Sequence, residues 1–449
     1  MNTKTTAFDL DTLIRSGQFD AVRDRFAHEH PADIAAMISE FDAREGWGAL
    51  ELLPLASQAE TFGYLDHDFQ VALATVAPRA KLAAIVVEMN ADERADLYNE
   101  LSSDQRDALM PALVQAERED IRKLASYEEG TAGAIMTSDY ATLPAHITAT
   151  EALTSLRNEA PAKETIYRTY VVDDDRKLIG SVRLQDLITA PVRATVSDIM
   201  QTNTLAVNVN DDQEEVARKI ARYDMLALPV VDSDGRIVGI VTHDDAFDVI
   251  EEETTDDFHR VGTVTNLATS LREATVFMLY RARIVWLVLL VFGNIFSGAG
   301  IAYFEDTIAA YVALVFFLPL LIDSGGNAGS QSATLMVRAL ATGDVKLTDW
   351  GSMIGREVMV ALGLGLTMAL AVSFIGVYRG GPEIAMVVAS SMVLIVIVGS
   401  IIGMSLPFVL SRFKVDPATA SAPLVTSIAD ASGVMIYFFI ATTFLPMSG

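Results

Sequence analysis

Hydrophobic and polar positions follow three different patterns along this chain, and each pattern predicts a different kind of structure. Up to about residue 130, apolar residues recur at spacings of three and four, as in Ile34, Met37, Ile38 and Phe41, which is typical of amphipathic helices. Prolines and short polar stops interrupt the pattern and end each helix. This part predicts an all-α domain over residues 1–130, arranged as a bundle or superhelix.

Between residues 131 and 250 the pattern is an internal repeat. AIMTSDYATLP (134–144) is echoed by DIMQTNTLAVN (198–208), and TYVVDDDRKLIGSVRLQDLI (169–188) by LPVVDSDGRIVGIVTHDDAF (228–247). Each copy reads as a β-α-β-β-α unit, with apolar strands, an acidic turn and a final helix opened by an acid. The two copies, 131–190 and 195–250, resemble a tandem pair of α/β CBS domains along their whole length.

From residue 271 to 449 long apolar runs predict a transmembrane domain of five helices. The basic residues of the loops predict its orientation, with the N-terminus in the cytosol, the C-terminus outside, and the protein in the cell (inner) membrane. The N-terminal stretch carries acids and no apolar core of a signal peptide, which agrees with a cytosolic start. The five predicted spans are 284–304, 308–337, 354–378, 384–410 and 417–446.

Charge divides the chain at the same place. Residues 271–449 hold nine Lys/Arg and ten Asp/Glu, a net charge of −1. The whole chain holds 33 Lys/Arg and 59 Asp/Glu, so residues 1–270 hold 24 and 49 of them, a net charge of −25. A field of this sign repels nucleic acid and anionic lipid and attracts divalent cations. There is no Cys, so disulfides and thiolate metal sites are excluded.

A connecting helix is predicted over 246–270, and its acids are not scattered. Asp245, Asp248, Glu252 and Asp256 fall within about 80° of one another on a helix. Like charges at this spacing repel, which predicts that a cation meets this face; a merely solvated face is the alternative. The candidate regulatory metal ligands are these four with Glu251, Asp257, and Asp92 and Asp96 of the N-terminal domain.

The membrane half carries polar residues at depths where lipid does not tolerate them. Asp430 lies near the middle of the fifth span, and a charge there costs about 3 kcal/mol unless it meets a partner or a water-filled path. A hard cation is the favoured companion, and a protonated, hydrogen-bonded Asp is the alternative. The second span adds a cluster that predicts a hydrated pathway. These candidate pore-lining residues are Asp323, Gly325, Gly326, Asn327 and Gln331.

The second repeat also carries a candidate nucleotide site in GIVTHDD. Gly239, Thr242 and Asp245 resemble the nucleotide-binding pattern of the CBS family, and the resemblance implies that the Thr hydroxyl meets phosphate, that the Asp holds a ribose and that ATP is the cofactor. The first repeat has Arg183 at the Thr position, which allows one complete site per chain at most. The same Thr-x-x-Asp opening is also a helix N-cap pattern, and this alternative stays open.

Taken together, these pieces resemble the MgtE family of magnesium transporters in the family's order. The resemblance rests on HPADIAAMI, DERADL, EEGTAGAIMT, the CBS pair, EEETTDDFHRVG, PLLIDSGGNAGSQSATLMVRAL and DPATASAPLVTSIADASGVMIYF. It implies a homodimer with a Mg²⁺ pore lined by the second and fifth spans and Asp430 as the pore aspartate. It also implies that the connecting helix closes the pore as a plug when cytosolic Mg²⁺ bridges the acidic domains.

Other functions are disfavoured by the residues themselves. An intramembrane metalloprotease needs a helical HExxH, and the membrane half contains no His, so we expect no enzyme activity. An anion channel would need cationic groups where this chain has Asp323 and Asp430. The remaining alternative is a broader divalent transporter carrying Co²⁺ or Mn²⁺, since Mn²⁺ also accepts carboxylate and water ligands.

Overall fold

The computed structural model describes residue 13 and residues 18–264, 274–420 and 422–445. They form two compact units, Met1–Glu252 and Glu253–Gly449. The predicted plug residues 265–270 and the first residues of the predicted transmembrane domain, 271–273, lie outside the described residues. The boundary between the units therefore falls inside the predicted connecting helix rather than at its end.

Short helices make up the N-terminal part, as the three-and-four spacing predicts. The helices are α1 (Phe19–Phe26), α2 (Pro31–Ile38), α3 (Ala43–Leu50), α4 (Leu55–Gly63), α5 (His67–Val76), α6 (Arg79–Glu88), α7 (Ala91–Glu100), α8 (Ser103–Leu109) and α9 (Gln115–Leu124). From α2 onward each helix packs on the helix two places further along the chain, α2 on α4, α3 on α5 and so on to α7 on α9, which is the geometry of a superhelix. The superhelical alternative is thereby confirmed.

Helix caps and an apolar core hold this superhelix together. Asp42 caps α3 by accepting hydrogen bonds from the amides of Arg44 and Glu45, at 2.8 and 3.0 Å. Ser102 and Gln105 form a reciprocal capping box at the start of α8. Large side chains from successive helices, such as Phe62, are fully buried between them, and burial of each contributes about 1.5–3 kcal/mol.

The two repeats fold as predicted, each with a three-stranded sheet in which the first two strands are parallel and the last two antiparallel. In the first repeat the strand order is β1-β2-β3, and in the second it is β4-β5-β6. The first contains β1 (Tyr140–Pro144), α10 (Ala149–Glu159), β2 (Thr165–Val172), β3 (Leu178–Arg183) and α11 (Leu184–Thr189). The second contains α12 (Val196–Ile199), β4 (Val207–Asn208), α13 (Gln213–Arg222), β5 (Ala227–Val231), β6 (Ile237–Thr242) and α14 (His243–Val261).

The segment that leads into each repeat crosses to the other repeat. Thr137, ahead of β1, exchanges two backbone hydrogen bonds with Ile240 of β6, at 2.8 and 3.0 Å. Gln201, ahead of β4, makes the equivalent pair with Ser181 of β3. Each sheet is therefore completed by the opposite repeat, and the two repeats form one folding unit.

The membrane unit consists of long apolar helices. The first begins at Val276, eight residues before the predicted start, because the Thr275 side chain caps it by accepting from the Met278 amide at 3.3 Å. The second begins at Ala313 rather than 308, because Glu305–Ala310 forms a separate short helix. The helices are α15 (Val276–Tyr303), α16 (Glu305–Ala310), α17 (Ala313–Ala341), α18 (Trp350–Arg412) and α19 (Ala422–Phe444).

Helix α18 is a hairpin of two spans. Gly381 breaks it with a φ of 81°, in the left-handed region that only glycine adopts readily. The halves then run side by side, since a Cβ on Gly376 would lie 2.8 Å from Cα of Ala385 and one on Gly365 would lie 3.0 Å from Cα of Val393. Among the described residues, four elements are long and apolar enough to cross a membrane, and the hairpin makes five crossing segments.

Candidate functional site

One face of α17 carries the polar residues singled out in the second span. Asp323, Asn327 and Gln331 follow one another at four-residue spacing and are exposed on the single chain. We call these three residues the polar stripe. The Asp323 carboxylate accepts a hydrogen bond from Nδ2 of Asn327 at 2.9 Å, so the two side chains share one surface.

The glycines of α17 lie on its buried side and bring two helices into backbone contact. A Cβ on Gly403 would lie 1.9 Å from the carbonyl oxygen of Gly329, and one on Gly399 would lie 2.3 Å from that of Gly325. Two glycine pairs at four-residue spacing therefore meet, one from α17 and one from the second half of α18. Gly325, a predicted pore-lining residue, is thus a packing residue on the single chain.

Asp430 lies against the same part of α17, from the side of α19. A Cβ on Gly326 would lie 3.4 Å from its Oδ1 and 2.8 Å from Cγ2 of Thr426, one turn earlier on α19. Oδ1 of Asp430 is buried and has no hydrogen-bond partner among the described residues. Ser330 and Thr426 join the two helices by a hydroxyl contact of 3.2 Å. The folded chain thereby brings together the second and fifth spans, as the resemblance implied.

The end of α14 contacts the loop that leads into α19. The Arg260 guanidinium forms an ion pair with Asp416 and lies 3.8 Å from the Asp256 carboxylate. Asp416 also accepts from the Ala418 amide at 2.7 Å and so caps the turn before α19. Asp256, predicted as a metal ligand, therefore has a cationic partner within its own unit.

In the other unit, carboxylates from three elements form an acidic cluster: Asp92, Glu93 and Asp96 of α7, Glu164 just before β2, and Asp245 of α14. The Asp245 charge raises the pKa of all four others, which places them within electrostatic reach of it. Apolar side chains hold the elements together, since Ala91 and Ala95 of α7 pack in one core with Ala246 and Val249 of α14.

Burial and mutual repulsion shift these carboxylates far from their ordinary behaviour. Burial, with the Glu164 charge, raises the pKa of Glu93 to about 7; burial, with the Asp245 charge, raises that of Glu164 to about 7. Burial raises the pKa of Asp96 to about 6, although the neighbouring His67 lowers it in part. Burial also raises the pKa of Asp92 well above its usual range. Such a cluster favours uptake of protons near neutral pH.

The structure adds two acids that the sequence analysis missed. Glu93 adjoins the predicted Asp92. Glu164, just before a strand, lies 72 residues after Asp92 in the sequence, so no local spacing connects Glu164 with the acids of α7. Asp248 lies further along α14, where burial together with Asp244 and Glu251 raises its pKa. Within the described ranges, no three His, Asp or Glu side chains converge as a ready-made metal site. The regulatory assignments of Asp248, Glu251, Glu252 and Asp257 stay predictions.

The three candidate nucleotide-binding residues, Gly239, Thr242 and Asp245, already make contacts within the folded chain. The Thr242 hydroxyl donates to the Asp245 carboxylate, and the Thr242 amide donates to it at 3.3 Å, which is the capping arrangement left open by the sequence. A Cβ on Gly239 would lie 2.5 Å from the sulfur of Met136 and 2.9 Å from the Thr137 carbonyl oxygen. Packing of the crossing segment is therefore sufficient to require this glycine.

Comparison with known proteins covers nearly the whole length of the chain. A family model described as the MgtE intracellular N domain matches residues 29–130, a CBS domain model matches 132–193 and 196–252, and a model described as MgtE divalent cation transporter matches 318–440. The magnesium transporter MgtE of Thermus thermophilus is 38% identical over 442 residues, which cover 98% of each chain. The chain belongs to the MgtE family of magnesium transporters. It is therefore a multi-pass membrane protein of a transporter family and not an enzyme.

Further MgtE relatives support the same assignment. The magnesium transporter MgtE of Bacillus subtilis is 32% identical over 434 residues, 96% of each chain. The crystal structure of the soluble part of a magnesium transporter matches 56% of this chain and 99% of its own, at 32% identity and a TM-score of 0.52. The cytosolic domain of the Mg²⁺ channel MgtE in complex with ATP matches 54% of this chain and 99% of its own, at 37% identity and the same TM-score.

Proposed function

We propose that this protein carries Mg²⁺ into the cytosol through a pore formed between two copies of the chain. The observation that carries the proposal is the polar stripe, which is exposed on the single chain at membrane depth. Lipid does not tolerate an exposed row of carboxylate and amide groups, whereas a water-filled path does. A second copy related by a twofold axis would place two such stripes around one path.

Asp430 is the residue we assign to ion capture. Its carboxylate lies beside Gly326, and its buried Oδ1 has no hydrogen-bond partner among the described residues, so no donor among them compensates its charge. Mg²⁺ gives up its water shell reluctantly and is held through one or two carboxylates plus waters. Two symmetry-related Asp430 carboxylates across a wet path meet that requirement, with the Asp323 and Asn327 pair completing the polar lining.

We further propose that cytosolic Mg²⁺ closes this pore by binding at the acidic cluster and at the acids of α14. Five carboxylates that repel one another lie where α7, the first repeat and α14 meet, and a divalent cation would relieve that repulsion. A cation there favours the conformation in which these elements are together, and a ligand shifts such an equilibrium through its differential affinity for the two states. Internal Mg²⁺ would then limit its own entry.

Orientation and cofactor complete the proposal. We place the N-terminus in the cytosol of a homodimer and the C-terminus outside, on the loop charges described above. ATP is a second ligand that the CBS pair could hold, since an MgtE relative's cytosolic domain was solved with ATP. In the second repeat it would have to open the hydrogen bond between Thr242 and Asp245.

The test is Mg²⁺ uptake by the purified full-length protein in liposomes, with Co²⁺ and Mn²⁺ as competitors. Asp430→Asn should insert normally and lose most Mg²⁺ flux, because the substitution removes the charge that captures the ion. Asp344→Asn, an exposed acid in the loop after α17, is the matched control and should transport like the wild type. Wild-type flux in Asp430→Asn would refute the pore assignment, and equal uptake of all three ions would favour the broader divalent transporter.

A further inference from the structure

Helix α7 carries one buried cation, Arg94, among its acids. Arg94 is 6% exposed, and at 100° per residue its position lies about 160° around the helix from those of Asp92 and Asp96 and about 100° from that of Glu93. Its Nη1 donates to Glu117 of α9 at 2.5 Å. Its Nη2 lies 3.6 Å from Asp120 of α9 and 3.7 Å from Asp139, the residue just before β1.

These contacts connect three elements through a single side chain. Helices α7 and α9 belong to the N-terminal superhelix, and Asp139 belongs to the first repeat. Asp120 is itself held, since it accepts from the Ser138 hydroxyl at 2.9 Å. The Arg94 guanidinium thus faces three carboxylates, and without it they would repel one another across the junction between the superhelix and the first repeat.

The junction also sets where the acidic cluster stands. Asn90, at the start of α7, donates to Glu164 of the first repeat at 3.4 Å, and Glu164 lies within electrostatic reach of Asp139 and Asp245. Asp139 and Glu164 are themselves joined, since the Glu164 amide donates to the Asp139 carbonyl oxygen at 2.8 Å. A shift of α7 away from Asp139 would therefore also carry Asp92, Glu93 and Asp96 away from Glu164. The arrangement of the acidic cluster thus depends on the ion pairs of Arg94.

We propose that Arg94 is a positioning residue for Mg²⁺ sensing. Its guanidinium holds α7 against the first repeat, so that Mg²⁺ binds the acidic cluster and closes the pore at a lower concentration than it would without this side chain. This inference rests on the proposed regulatory function. It concerns the Mg²⁺ concentration at which closure occurs, and not the conductance of the pore.

The experiment measures the Mg²⁺ midpoint of protease protection and of flux inhibition, on full-length protein in liposomes. Arg94→Met keeps the length of the side chain and removes its charge, and we expect both midpoints to rise on the order of tenfold, within the usual range of coupling between sites. Flux in the absence of internal Mg²⁺ should be unchanged. Arg218→Met, which removes an exposed arginine paired with Glu214 on α13, is the matched control and should leave the midpoints in place.

Two further variants separate positioning from mere packing. Arg94→Lys keeps the charge without the two-pronged geometry and should give an intermediate midpoint. Asp139→Asn in the Arg94→Met background relieves the carboxylate repulsion and should recover part of the shift, which a packing defect would not allow. Unshifted midpoints in Arg94→Met, or equal shifts in Arg218→Met, would overturn the proposal.

Other outcomes are equally decisive. If Arg94→Met fails to fold, Arg94→Lys decides, and a wild-type midpoint in that variant overturns the proposal. If the wild type itself shows neither protection nor inhibition at any Mg²⁺ concentration, the proposed regulation fails, and the role of Arg94 fails with it. That result is distinguishable, because it appears before any variant is compared.

Discussion

At the scale of single residues, two equivalent positions in the CBS pair have opposite electrostatics. Asp245 opens α14 and Asp186 lies at the same position in α11 of the first repeat. Arg183 holds Asp186 through two hydrogen bonds of 2.8 Å, which lower the pKa of that carboxyl. Asp245 has Thr242 in place of the arginine, and burial raises its pKa to about 6. The two carboxyls therefore differ because burial dominates at Asp245, whereas the hydrogen bonds from Arg183 dominate at Asp186.

The raised pKa values within the acidic cluster predict a pH dependence of stability. Glu93 and Glu164 have folded pKa values of about 7 against ordinary values of 4.5, so the folded protein binds more protons than the unfolded chain between those values. Stability in the absence of divalent cations should therefore fall as pH rises from about 5 to 7. Thermal unfolding of the full-length protein in a chelating buffer, recorded across this range, checks the sign.

A variant at Asp245 sharpens the same prediction. Asp245→Asn removes one charge from the acidic cluster, and we expect the unfolding midpoint at pH 7.5 without Mg²⁺ to rise. The expected rise is about 2–4 °C, the effect of about 1 kcal/mol in a folding unit of about 150–250 residues. The gain should shrink at pH 5, where the cluster is protonated. Asp186→Asn is the control; it removes a favourable pair and should produce no rise. A fall in Asp245→Asn at pH 7.5 would contradict the assignment.

At the scale of elements, the closest contact in the membrane unit is between α17 and the second half of α18. Gly325 and Gly329 meet Gly399 and Gly403 with their backbones in contact, so neither helix can carry side chains there. This packing fixes the rotation of α17 about its axis. The polar stripe consequently turns away from α18 and is exposed on the single chain.

We therefore expect Gly403→Ala to destabilise the membrane unit. Its Cβ would lie 1.9 Å from the Gly329 carbonyl oxygen, which is backbone and cannot move aside without separating the helices; overpacking of this kind costs about 1–3 kcal/mol. Gly363→Ala, in the first half of α18, is the control, because a Cβ there has open space around it. Detergent-solubilised protein, heated and measured by size-exclusion chromatography, should lose its folded peak several degrees earlier in Gly403→Ala only.

At the scale of the whole molecule, charge is divided as sharply as hydropathy. A net of −25 within residues 1–270 repels itself unless counter-ions gather, whereas residues 271–449 are nearly neutral. The acidic cluster concentrates part of that charge where helices of the superhelix meet the CBS pair. Both observations predict that divalent cations stabilise, by mass action, the arrangement in which the superhelix and the CBS pair are in contact.

Millimolar Mg²⁺ should accordingly protect residues 18–264 from proteolysis. We expect cleavage by a limiting amount of protease to slow as Mg²⁺ rises, with a saturable midpoint, because binding removes the repulsion that opens the structure. NaCl at matched ionic strength is the control, since screening alone acts on exposed charges without a midpoint. Protection by NaCl equal to that by Mg²⁺ would mean that the acids serve only solubility.

The sequence by itself determined the kinds of element and their order. Three-and-four spacing gave the N-terminal helices, the internal repeat gave two equal β-α-β-β-α units, and length with apolarity gave the spans, because each of these signals is local in the chain. It also identified Asp430 and the polar stripe, since a polar residue in an apolar run is visible without a structure. Element boundaries shifted wherever a cap such as Thr275 or a short helix intervened.

Only the tertiary structure decided which distant residues act together. The crossing of Thr137 to Ile240, the meeting of Gly329 with Gly403, and the place of Glu164 beside Asp245 join residues 74 or more positions apart. No local pattern encodes such pairs, because they result from packing of whole elements. The same holds for Arg94: in the sequence it is one basic residue among acids, and burial against three carboxylates of two other segments makes it a positioning residue.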